Sequence, residues 1–139
     1  MSNAAVFTDF IAGKNIRSVQ VQEHWFAAEL SDPVNVVFLE LDDGHWARVH
    51  FDAGVFFWSE VNEPSVPGPF DNHRFQLRHL SFSGLVQSAT LQESFIAEEL
   101  SMLSVILVDG RTLRLRNSND QSSLEAIPEL ASNGLRRFR

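Results

Sequence analysis

Two stretches of this chain repeat one pattern: an alternating apolar run, an Asp-Gly pair, and a second alternating run. Val34 to Leu41 and His45 to Phe51 flank Asp43-Gly44, and Met102 to Val108 and Arg111 to Arg116 flank Asp109-Gly110. Alternation with period two gives a strand one apolar face, and Asp-Gly tolerates the positive φ angles of a tight turn, so the spacing predicts two β-hairpins. With Asp43-Gly44 as a two-residue loop, Phe38 would pair with Val49 and Val36 with Phe51. Leu41/Trp46, Leu39/Arg48 and Val37/His50 would then share the opposite face. Both faces would be partly apolar, as in a hairpin covered on both sides or one whose second face lines a pocket or an interface. The two stretches look alike as letters; turn chemistry alone produces such likeness and is preferred to the alternative, a true internal duplication.

The rest of the chain continues the strand grammar. Val6, Phe7, Phe10 and Ile11 fall near one helical face, predicting a short helix from Ala4 to Ile11 that Gly13 ends. Between Ser18 and Leu30 the apolar residues pass from odd to even positions, which suggests one long strand with a bulge near Glu23-His24-Trp25, stopped by Asp32-Pro33. Asp52-Ala53-Gly54 reads as a turn, Val55 to Val61 as an aromatic strand, and the Pro-rich stretch from Asn62 to Asn72 as a loop. Phe75, Leu77 and His79 alternate with polar residues, and Ser83-Gly84 then predicts a further hairpin into Leu85 to Gln92. Ser122 to Pro128 opens with a capping residue and meets proline, predicting a short or kinked helix.

A length of 139 residues with 44% apolar content is enough for one buried core, so residues 1–139 are expected to form a single globular domain. The fold expected is mainly β: a twisted antiparallel sheet or partly closed barrel of about six to eight strands with short terminal helical segments. An α+β domain with a helix over Phe95 to Leu103 is the alternative. No apolar run approaches the length of a membrane-spanning helix, and the first residues lack the basic and apolar regions of a secretory leader, so no membrane association is expected. The chain has no cysteine, which removes disulfides, thiolate nucleophiles and cysteine metal sites and fits a cytoplasmic protein.

Charge narrows the partners. The formal net charge is -7, which disfavours phosphate backbones and makes nucleic acid an unlikely partner. Its distribution is uneven: residues 1–110 carry fifteen acidic and five basic side chains, and residues 111–139 carry three and six. A nucleic-acid surface would need Arg111, Arg114, Arg116, Arg136, Arg137 and Arg139 in one patch.

Chemistry concentrates between Trp46 and Asp52. On a strand Trp46, Arg48, His50 and Asp52 share one face, so Asp52 could orient His50 as a general base while Arg48 holds an anionic group beside the Trp46 ring. The same residues also suit an exposed polar face with no reaction. His45 and His50, five apart, point to opposite faces and cannot chelate together. His73 and His79 would lie about 20 Å apart on one strand, so no metal site and no cofactor are expected. In Phe56-Phe57-Trp58 at least one ring must leave the buried face, and Trp58 or Phe57 is the candidate floor of a pocket or cap of a dimer interface. No nucleophile elbow, phosphate loop, His-Glu-x-x-His or EF-hand sequence occurs. The sequence thus bounds the function without identifying it. The expectation is a noncatalytic protein-interaction or ligand-binding domain using Trp46, Arg48, His50, Asp52 and Trp58, with a protein partner, self-association or a small anionic ligand. A small hydrolase or isomerase acting on an anionic metabolite is the alternative.

Overall fold

The structure is a computed structural model that describes residues 3–96 and 98–127. A helix, α1 (Asn3–Ile11), precedes β1 (Asn15–Phe26), β2 (Glu29–Leu41), β3 (Trp46–Asp52) and β4 (Val55–Val61). There follow β5 (His73–Leu80), β6 (Gly84–Gln92), β7 (Ser101–Leu107), β8 (Thr112–Ser118) and β9 (Gln121–Ile127). The fold is mainly β, with an antiparallel, unclosed sheet in the order β4-β3-β2-β1-β6-β7-β8-β9. β5 lies off that path, paired with β1. The described residues form nine strands, one more than the upper end of the six to eight expected, because Ser122 to Ile127 is strand where a helix was read; the Ala27 turn only moves the boundary between the first two strands.

The first hairpin differs by one residue from its expected register. Val37 pairs with Val49, Phe38 with Arg48 and Glu40 with Trp46. The loop holds three residues, Asp42 to Gly44, since the Leu41 N–H donates to the His45 carbonyl at 2.9 Å and only Gly44 adopts positive φ. A three-residue loop with glycine in the left-handed region is a standard alternative to the two-residue turn, and a shift of one exchanges the faces. Val37, Leu39, Ala47 and Val49 therefore point into the core together.

This hairpin belongs to a structural repeat. Val37↔Val49 recurs as Leu103↔Leu115, and Asp52↔Val55 as Ser118↔Gln121, each displaced by 66 positions. The turn bonding recurs too: His45 N–H donates to Asp43 Oδ1 at 2.9 Å, and Arg111 N–H to Asp109 Oδ1 at 3.0 Å. Even the register shift of β1, between Ile16 and Ser18, returns in β6 between Val86 and Ser88. β1-β2-β3-β4 and β6-β7-β8-β9 are thus two copies of one four-stranded meander, a likeness that extends well beyond turn chemistry. Their inner faces share one hydrophobic cluster, where Val37, Leu39 and Val49 meet Leu103, Val105, Leu113, Leu115 and Leu124 around an apolar void of about 10 Å³.

α1 completes that core. Phe7 and Ile11, four apart on one helical face, are fully buried. The Phe7 ring lies 5.2 Å from Phe56 and 5.3 Å from Trp58, and Phe10 lies 4.8 Å from Trp58. Gly13, at φ +82°, ends the helix as its sequence predicts.

Four further corrections concern the chain after β1. Ala27 turns at φ +53° although neither it nor Ala28 is a turn residue. Its N–H donates to the Asn72 carbonyl at 2.8 Å, so the neighbouring Asp71-Asn72 turn holds it. Asp32-Pro33 does not end the strand: the Asp32 carboxylate accepts the Val34 N–H at 3.0 Å, and β2 bulges there opposite Gln22 to Trp25. Phe75 to Gln92 is no hairpin either, since β5 pairs with β1 and β6 with β7 and the first residues of β1. Ser101 to Leu107 is strand, which removes the α+β alternative over Phe95 to Leu103.

Candidate functional site

Trp46, Arg48, His50 and Asp52 do share one face of β3, alternating with the buried Ala47, Val49 and Phe51. Trp58 does not join them. It stands opposite Val49 and so faces the core, under Phe7 and Phe10. Phe57 takes the outward place, opposite His50, with its ring stacked at 5.3 Å on the imidazole and 17° between planes. Trp46 sits at the far end of the strand, paired with Glu40 and Val61.

Arg48, His50 and Asp52 line a cleft of about 340 Å³ with Asp32, Asn35, Asp120 and Ser122. Asp32 and Asn35 are placed by the β2 bulge. Asp120 arrives from the other meander: its carboxylate accepts the Ala53 N–H at 3.0 Å, so the two equivalent turns, Ala53-Gly54 and Asn119-Asp120, dock on each other. A second depression of about 540 Å³ shares Asp32, Asp120 and Ser122 and adds His24 and Gln121. Sequence reasoning missed Asp32 and Asp120 because only the bulge and the docked turns bring them beside β3.

The electrostatics differ from a carboxylate-oriented base. Arg48 Nη1 lies 3.3 Å from His50 Nδ1. A guanidinium can only donate, so Nδ1 accepts and the ring proton is assigned to Nε2. Burial lowers the His50 pKa from its ordinary value, the Arg48 charge lowers it further, and the Asp52 charge opposes them. Among the described residues no hydrogen bond or ion pair joins His50 to Asp52. With His50 neutral, the cleft holds three carboxylates against one guanidinium, so it favours a cationic guest.

A second cluster lies where β1 meets β5. The Glu23 carboxylate, 7% exposed, accepts from Trp25 Nε1 at 3.2 Å, Gln76 Nε2 at 2.9 Å and Arg78 Nε at 3.2 Å. On the other face His24 Nε2 lies 2.9 Å from His73 Nδ1, beside the Phe75 ring. The unrecognised β1–β5 pairing hid both groups from the sequence.

Among the described residues no group of three or more His, Cys, Asp or Glu is placed to hold a metal ion, and no helix is long and apolar enough to cross a membrane. Arg114 and Arg116 share a face of β8, where Arg114 reaches Ser104 and Arg116 reaches Glu125. Arg111 is held instead at its turn by Asp109 and the Ser83 carbonyl. Arg136, Arg137 and Arg139 lie outside the described residues. Comparison with protein-family models, with curated proteins and with solved structures gave no match.

Proposed function

We propose that the protein is a noncatalytic binding protein of the cytoplasm whose cleft receives a basic side chain from a protein partner. The observation that carries this reading is the ring of Asp32, Asp52 and Asp120 around a cleft whose one lining cation is Arg48, among the described residues. A small anionic ligand fits that balance poorly. Carboxylates on rigid strand ends and docked turns suit a guanidinium or ammonium group, and they give the association a salt-sensitive rate.

The test is titration of the ¹⁵N-labelled protein with a tetra-arginine peptide at low salt. Amide shifts are expected at 32, 34–36, 48–52 and 120–122. The double variant Asp32→Asn, Asp120→Asn keeps the oxygens that accept from Val34 and Ala53 while removing two charges, and should weaken binding by about tenfold or more. Shifts spread over the whole surface, or unchanged affinity in the double variant, would contradict the reading.

His50 favours a second reading, a small enzyme. A neutral imidazole in a cleft is a usable base. Its one lone pair is engaged by Arg48, however, which opposes that use. Acylation by diethyl pyrocarbonate separates the two: His50 reacting faster than the exposed His45 supports catalysis, and slower reaction supports the binding role.

A further inference from the structure

The edges of the sheet are not equally protected. An open edge strand offers a row of unpaired N–H and C=O groups, and natural proteins guard such rows with lysine, proline, bulges or a covering segment. β4 is guarded: Glu93 accepts the Phe56 N–H at 2.9 Å, and α1 packs on the strand. β6 is guarded by the segment after α1, where Gly13 N–H donates to the Val86 carbonyl and Val86 N–H to the Lys14 carbonyl. β9, the other end of the sheet, lies beside β2, whereas β5 has no such cover. Its eight residues contain no proline and no lysine, and its ladder with β1 runs from Val19↔Leu80 to Phe26↔His73 without a register shift. Among the described residues no side chain or loop bonds the backbone of Arg74 to Leu80 on its outer side. Gln76 to His79 are exposed on both faces, and Leu77 is 38% exposed.

The charges that would normally guard such an edge are turned inward along it. Arg78 pairs with Glu23 at 3.2 Å, and the Arg74 guanidinium lies 4.8 Å over the Trp25 ring. Antiparallel pairing of two β5 strands about Leu77 is self-complementary. Leu77 meets its own copy on the twofold axis, Phe75 meets His79, Gln76 meets Arg78, and Arg74 meets Leu80. No two arginines stand directly opposite each other in this register; Arg78 and its copy are diagonal neighbours, each paired with its own Glu23. A closed twofold contact also consumes both open edges at once, which a heterologous contact would not.

We infer that β5 is the docking edge for a second copy of this chain, the two β5 strands pairing antiparallel about Leu77 to continue the sheet across a twofold axis. The contact is held chiefly by backbone hydrogen bonds and joins two bodies that each carry a formal charge of -7, with no ion pair across the axis, so added salt strengthens it. An acidic partner drawn to Arg74 and Arg78 would be weakened by salt instead.

The full chain tests this in two ways. Sedimentation is expected to show a monomer–dimer equilibrium that tightens with salt. Leu77→Lys, at an exposed position that leaves the β1 ladder in place, should weaken it by about tenfold or more, and mixing Leu77→Lys with Leu77→Glu should restore a dimer. Because the chain has no cysteine, Leu77→Cys supplies the sole thiol. It should form an intermolecular disulfide faster than Val108→Cys, a control at another exposed apolar site. A monomer at every concentration up to about 1 mM, a dimer indifferent to Leu77→Lys, or equal cross-linking at the two cysteines would overturn the inference.

Discussion

Alanine at two glycines that share a backbone conformation should cost very different amounts. Gly44 and Gly54 both sit in hairpin turns, at φ +87° and +85°. A Cβ at Gly44 meets nothing within 4 Å, so Gly44→Ala carries only the cost of a left-handed alanine, about 1–2 kcal/mol. At Gly54 the same Cβ falls 2.1 Å from the Ser94 carbonyl oxygen and 3.3 Å from Ser101 Oγ. That backbone oxygen has to move. Ser101, fully buried, accepts the Ser94 N–H at 2.8 Å and donates to the Gly54 carbonyl at 2.8 Å, so moving the loop breaks a buried hub. Two polar groups left unpaired add about 1–3 kcal/mol each, bringing Gly54→Ala to about 3–8 kcal/mol in all. For a chain of this size 1 kcal/mol shifts Tm by roughly 3–5 °C, so Gly44→Ala should lose about 3–10 °C and Gly54→Ala about 6 °C or more beyond that. Urea titration and calorimetry of both variants measure this. Losses equal within about 2 °C would refute the clamp of Ser94 and Ser101 on this turn.

Three other perturbations follow from the same structure. Phe7→Ala removes a fully buried ring wedged between Phe56 and Trp58 and should cost about 3–5 kcal/mol in urea unfolding. Glu23→Ala strips the shared acceptor from Trp25, Gln76 and Arg78 and should cost about 2–3 kcal/mol, with faster amide exchange confined to β5 and its partner on β1. His50 is held below its ordinary 6.5 in the folded state, so the unfolded chain takes up this proton first. Its share of stability is intact above pH 6.5 and is lost as pH falls from there through the folded pKa. His50→Gln should flatten the unfolding free energy across that window, and Arg48→Gln should raise the His50 pKa in an NMR titration.

Strand existence was legible wherever the local pattern and the tertiary burial agree. The Asp-Gly turns, Val55 to Val61 and α1 all follow from residues close together in the chain. What escaped was carried by distant partners. Ala27 turns because Asn72 receives its N–H, and Pro33 bulges a strand because the Asp32 side chain repairs the ladder. The one-residue register shift at Asp42 to Gly44 decided the faces, exchanging Phe38 and Val49 and so placing Arg48 opposite Phe38. Of the candidate site, Arg48, His50 and Asp52 converge as alternation predicts. Trp58 does not, because the register of β3 with β4 turns Phe57 outward in its place. Asp32 and Asp120 were beyond reach, since their approach depends on a bulge and on the docking of two repeat-related turns.

The central claim is that the carboxylate-lined cleft holds a basic partner. The most direct measurement is the native mass of the untagged protein isolated gently from its own cells, alongside the variant with Asp32, Asp52 and Asp120 all changed to asparagine. The account predicts a stoichiometric basic protein on the parent chain and its loss from the variant, with both retaining the same fold by circular dichroism. A chain that carries no other protein, or a partner retained undiminished by the variant, would contradict it.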